Sequence, residues 1–100
     1  MPNNNQQIKF SLKANEFDFI FSYQLADKPQ LKKLIKIKNE LIAKRPDYKR
    51  VSLVLTLGDI DALLSNITRE SNKHNTDATQ DLLHALFGKL ANQYNTHMHL

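Results

Sequence analysis

Asp81 and His84 stand three residues apart in a 100-residue chain, a spacing at which a carboxylate can orient an imidazole on one helix face and prepare it as a general base. A base of that kind needs a nucleophile to activate. None accompanies the pair in sequence and the chain has no cysteine, so ordinary helix-surface contact is the expectation. Asp59 and Asp61 offer a second pair of carboxylates. Positions two apart on a helix point about 200° from one another, so the pair suits a helix start better than a shared cation. His97 and His99 flank Met98 and could chelate a transition metal weakly, but no third or fourth ligand accompanies them. The only glycines, Gly58 and Gly88, are too few and too far apart for a phosphate-cradling loop. Gly58 fits a strand-to-helix turn, and Gly88 close packing against another helix. The residues therefore predict a non-enzymatic protein with no metal and no cofactor.

Charge is the stronger signal. Residues 1–50 carry eleven Lys/Arg against five Asp/Glu, whereas residues 51–100 carry three against five. Residues 28–50 alone hold nine basic and two acidic side chains, an excess that attracts polyanions if it shares one surface. On a helix, Lys32, Lys33, Lys36 and Lys44 fall within about a third of the circumference. Lys28, Arg45, Lys49 and Arg50 extend that face at the two ends, and Glu40 dilutes it. These eight basic residues are the candidate phosphate contacts, and all four of the helix lysines are expected to project away from the apolar stripe.

The elements that would carry this face follow from periodicity. Ile8, Phe10, Leu12 and Ala14 alternate with polar residues and predict a strand. After Asn15-Glu16 as a turn, Phe17, Phe19, Phe21, Tyr23 and Leu25 alternate again and predict a second strand paired with the first as a hairpin. From Asp27, a cap, Leu31, Leu34, Ile35, Leu41 and Ile42 recur at helical spacing up to Arg45-Pro46. Lys38 interrupts that stripe, and Ile35, Ile37, Leu41 and Ala43 would also suit a strand. In KRVSLVLTLGDIDALL (49–64) a strand with Val51, Leu53, Leu55 and Leu57 inward runs into a helix bearing Ile60, Leu63, Leu64 and Ile67, with Thr56 and Asp59 as a reciprocal cap. After the polar stretch SNKHNTDAT, Leu82, Leu83, Leu86, Phe87, Leu90 and Tyr94 define a last helix. The reading is one α+β domain of order β-β-α-β-α-α, a three-stranded, mostly antiparallel sheet covered on one face by helices and ending in a helical hairpin. The order ββββαα is the alternative. Residues 1–7 and 95–100 are expected as mobile tails.

The stretch YKRVSLVLTLGDIDALLSNI (48–67) resembles the final strand and helix of Whirly- and Pur-type single-stranded DNA-binding domains. That resemblance implies two hairpins before a long helix, with residues 31–44 as strand, and a dimer. The aromatic residues argue differently, because they share the face assigned to the core. The open face, with Lys9, Ser11, Lys13, Ile20, Ser22, Ser52, Val54 and Thr56, could contact a nucleic-acid backbone but offers nothing on which bases stack. Neither a signal peptide nor a transmembrane stretch is apparent, which predicts a cytoplasmic protein. The expected function is nucleic-acid binding through residues 28–50. The alternative is a small protein-interaction or inhibitory regulator module that docks through the C-terminal helical hairpin or an open sheet edge.

Overall fold

The computed structural model describes residues 6–73 and 78–98. The chain order is β1 (Gln7–Lys13), α1 (Ala14–Ser22), α2 (Lys28–Lys44), β2 (Arg50–Thr56), α3 (Leu57–Ser71) and α4 (Ala78–Met98). The α+β class stands, with two antiparallel strands instead of three. Gln7 faces Thr56 and Lys13 faces Arg50 across the sheet. Each strand buries every second residue: Ile8, Phe10 and Leu12 on β1, and Val51, Leu53 and Leu55 on β2. Because residues 31–44 lie within α2, the order ββββαα is not adopted.

The expected second strand is the helix α1, and the reason is visible in its side chains. A row of aromatics at every second position also contains i,i+4 pairs, and these are the contacts made: Phe17 and Phe21 rings meet edge to face at 5.2 Å, and Phe19 lies 4.5 Å from Tyr23. Ile20, which a strand would have turned to solvent, is 1 % exposed. Asn15 and Glu16 are the first turn of this helix instead of a hairpin turn, and the Glu16 carboxylate accepts the backbone N–H of Lys13 at 2.8 Å.

The helix α1 ends in a Schellman arrangement. Leu25 N–H donates to Ile20 O at 2.9 Å and Gln24 N–H to Phe21 O at 3.3 Å, while Ile20 and Leu25 are both buried. Gln24 takes the left-handed position, with φ 51°, that glycine usually fills. Gln24→Gly is therefore expected to raise stability by about 0.5–1 kcal/mol in urea melts, and a lowered midpoint would show that the side chain contributes more than the strain it imposes.

In α2 the inner row is Gln30, Leu34, Ile37 and Leu41, with Gln30 and Leu34 buried and the other two partly so. The expected stripe is thus corrected at its edge: Ile35 is 43 % exposed and Ile42 44 %. A peripheral helix needs to bury only a narrow row. Lys38 no longer interrupts anything, because its ammonium sits 4.6 Å above the Phe21 ring centre and 3.9 Å from Asp18, its stem lying along the protein surface. The Asp27 backbone is extended as an N-cap requires, yet its side chain does not cap; it accepts from Asn66 Nδ2 at 3.2 Å.

The core beneath the sheet joins Phe17, Ile20, Leu25 and Leu34 to Leu57, Ile60, Leu63 and Ile67 of α3 and Leu83, Leu86 and Leu90 of α4. Leu57 enters it as the first residue of α3, one place beyond the end of the strand. Leu82 departs from expectation at 46 % exposed. Gly88 does too, since a Cβ there would meet nothing within 4 Å; it is not a close-packing site. Helix α4 runs to Met98 and β1 begins at Gln7, so regular structure reaches into both segments expected as tails.

Candidate nucleic-acid interface

The basic surface is built on α2, whose inner row fixes which lysines point outward. Lys28, Lys32, Lys36 and Lys44 are exposed, as are Arg45, Lys49 and Arg50 where the chain leaves α2 and enters β2. Arg50 Nη2 donates to Ser11 Oγ at 3.1 Å across the sheet, which holds that guanidinium over the open sheet face. Lys9 and Lys13 of β1 are exposed in the same sheet. The other residues expected on that face are divided: Ser11, Ser52 and Val54 are there, whereas Ile20 and Ser22 belong to α1. Phe10, the aromatic residue of the two strands, is buried, so this face presents cations and hydroxyls without a stacking platform.

Lys33 is the exception among the predicted contacts. Its ammonium is bound to the Asp59 carboxylate, and that carboxylate is a junction between α2 and the β2–α3 joint. Gln30 Nε2 donates to Asp59 Oδ1 at 3.0 Å and Thr56 N–H to Oδ2 at 3.1 Å, while Asp59 N–H donates to Thr56 Oγ1 at 3.1 Å. The reciprocal cap read from the sequence is present, but Asp59 also ties down a second helix. Burial pushes its pKa up; hydrogen bonds from Lys33, Gln30 and Thr56 N–H, with the Lys33 charge, outweigh burial and hold it below its ordinary value of 3.8. Lys33 thus lies outside the apolar stripe as expected, with its side chain 46 % exposed, but its charge is engaged by Asp59.

Glu16 makes a smaller junction of the same kind. It accepts from Lys89 Nζ at 2.7 Å, joining α1 to α4. Burial raises its pKa, while Lys89 and the Lys13 N–H lower it by more, leaving it below 4.5.

The catalytic and metal candidates resolve as follows. No hydrogen bond or ion pair between Asp81 and His84 exists among the described residues, and what His84 Nε2 meets is Ser71 Oγ, at 3.2 Å. Sequence reasoning missed this partner because Ser71 lies on the other helix of the hairpin. The pair borders a cleft of about 230 Å³ with Ile67, Asn72 and Phe87; among the described residues no carboxylate orients the imidazole, and the contact links α3 to α4. His97 Nδ1 lies 2.9 Å from Gln93 O, and His99 falls outside the described residues. Among the described residues no cluster of three His, Asp or Glu could hold a metal ion. A polar cleft of about 350 Å³ opens between the end of α1 and α3, with Arg69, Glu70 and Lys73 on its wall. Arg69 there donates to Asn66 Oδ1 at 2.7 Å, and Asn66 in turn donates to Leu25 O at 2.9 Å. That cleft is walled by the carboxyl-terminal turn of α1, whose partial negative charge suits the cations already present. No described helix is long and apolar enough to cross a membrane. No family model matches this chain, and no curated protein or solved structure matches it.

Proposed function

We propose that this protein binds nucleic acid without catalysis, contacting phosphates through Lys28, Lys32, Lys36, Lys44, Arg45, Lys49 and Arg50. The observation that carries the reading is the concentration of exposed cations on α2 and the entry to β2, with Glu40 and Asp47 as the acids in that segment. Because the open sheet face carries no aromatic side chain, and Tyr48 between Arg45 and Lys49 is packed against the core with its hydroxyl on Asp18, the surface grips the backbone and does not read bases. Lys33 is left out, since its charge is committed to Asp59.

The test is a variant in which Lys28, Lys32, Lys36 and Lys44 become Gln and Lys33 is retained. Its melting curve is expected to match that of the wild type. Affinity should fall alike on unrelated single- and double-stranded probes, and the slope of log affinity against log salt should flatten by about one unit per lost contact, somewhat less on single strands. Wild-type protein that retards no DNA or RNA at low salt defeats the proposal.

A second reading, a protein-interaction module, is favoured by one observation. Leu82 of α4 is 46 % exposed and with Phe19, Ala85 and Leu86 forms the apolar side of a cleft of about 240 Å³ whose other side is Lys13, Asn15 and Glu16, a mixed notch that could accept a partner side chain.

A further inference from the structure

A two-stranded sheet has two rims, and no further strand pairs with either among the described residues. Ala14 N–H bonds Lys49 O at 2.8 Å. With the observed register, this makes Ile8, Phe10 and Leu12 of β1 and Val51, Leu53 and Leu55 of β2 the residues whose backbone groups face one another. The residues between them turn their N–H and C=O groups outward: Lys9 and Ser11 on β1, and Arg50, Ser52 and Val54 on β2. Lys13 and Thr56 do so too, and their N–H groups are taken by the carboxylates of Glu16 and Asp59.

Open rims recruit strands, and folded proteins ordinarily blunt them with charge. The β1 rim is blunted, because Lys9 and Lys13 stand in its exposed row. The β2 rim is not. Between Arg50, tied to Ser11, and Thr56 its exposed row is Ser52 and Val54, and Val54 is 45 % exposed.

We infer that the β2 rim is a homodimer interface, in which β2 of a second copy adds antiparallel about a two-fold axis through Leu53 to give a four-stranded sheet. The strand is complementary to itself in this register, as a two-fold interface requires. Its seven residues overlap fully. Ser52 lies opposite Val54 of the second copy, twice over, and Arg50 lies opposite Thr56, for about six inter-strand bonds, the Thr56 N–H being committed to its cap. On the exposed face the two Val54 side chains become diagonal neighbours, an apolar pair with no charge to repel. The same operation on β1, about Phe10, would set two Lys9 side chains in that relation, where like charges repel. This contrast selects β2 over β1 for pairing between two copies, since Arg50, the charged residue of the β2 row, meets the neutral Thr56 of the second copy and no like charge. The inference does not depend on nucleic-acid binding.

Sedimentation equilibrium over a wide concentration range tests it. Wild type is expected to reach the mass of two chains. Val54→Pro removes an outward N–H without touching the internal ladder, because Val54 and Lys9 form a non-bonded pair; it is expected to give the mass of one chain with an unchanged circular dichroism spectrum. Val54→Lys, which keeps every backbone donor but sets two ammonium groups side by side, is expected to do the same and decides the matter if the proline variant unfolds. Lys9→Pro on the other rim should leave the dimer intact. A wild type that stays monomeric at every concentration overturns the inference. So does a dimer that survives Val54→Lys, including one dissociated instead by Leu82→Glu.

Discussion

Leu55→Asp is expected to cost on the order of 5 kcal/mol, through loss of a core leucine and burial of a carboxylate with no partner. Leu55 is 1 % exposed and lies opposite Ile8 in the sheet, and it belongs to the same core as Leu57 and Ile60. Stabilities of small domains are about 5–15 kcal/mol, so the loss consumes a third of the total at the least and can consume all of it. Urea melts should show a midpoint far below that of wild type, or no cooperative transition. Thr56→Ala, one residue along, removes the hydroxyl that accepts Asp59 N–H and should cost only about 1 kcal/mol. Equal midpoints for the two variants would show that the inward row of β2 is assigned to the wrong face.

Asp59→Ala carries the second-largest effect, roughly 2–4 kcal/mol, because one carboxylate serves Lys33, Gln30 and the Thr56 N–H and its removal strands the buried Gln30 amide and the part-buried Thr56 N–H. Asp59→Asn keeps an acceptor oxygen and should cost less. The two are separated by pH. A carboxyl held below its ordinary value stabilises the fold above the unfolded value, near 3.8 for Asp59 and 4.5 for Glu16. That stability is lost as pH falls through the lower folded values. Wild type should therefore lose stability steeply below this range, and Asp59→Asn less steeply, the remainder arising in part from Glu16. An acid profile identical in wild type and Asp59→Asn would mean that Asp59 is not the carboxylate that titrates with unfolding.

How much of this could be read from residues alone depended on whether the relevant contact was local. The alternation of Ile8, Phe10 and Leu12 and of Val51, Leu53 and Leu55 has one structural solution, and the box formed by Thr56 and Asp59 spans three residues. Both were legible. The stretch 17–25 was not, because periods of two and of four coincide at Phe17, Phe19, Phe21 and Tyr23; Ile20, buried beside Phe17, was the residue that distinguished them. The lysine face was legible as composition and helical phase, but the withdrawal of Lys33 was not, since its partner lies 26 residues away. The same holds for Ser71 and His84, which lie on different helices, α3 and α4. Gly88 misled because a glycine inside a helix suggests a close approach, and none occurs.

The placement of α1 and α2 between the two strands also governs how the chain reaches its fold. Strands β1 and β2 pair directly, yet residues 14–49 intervene, so the sheet cannot start from a tight turn and zip. Closing a loop costs more as it lengthens, about 0.6 kcal/mol per doubling, and the reward comes only when Lys13 has found Arg50. Helices α3 and α4, neighbours in sequence, face no such delay. Pairing of β1 with β2 is therefore expected to be the slow step of folding, and until it is made the apolar rows of both strands stand open to any other chain that meets them.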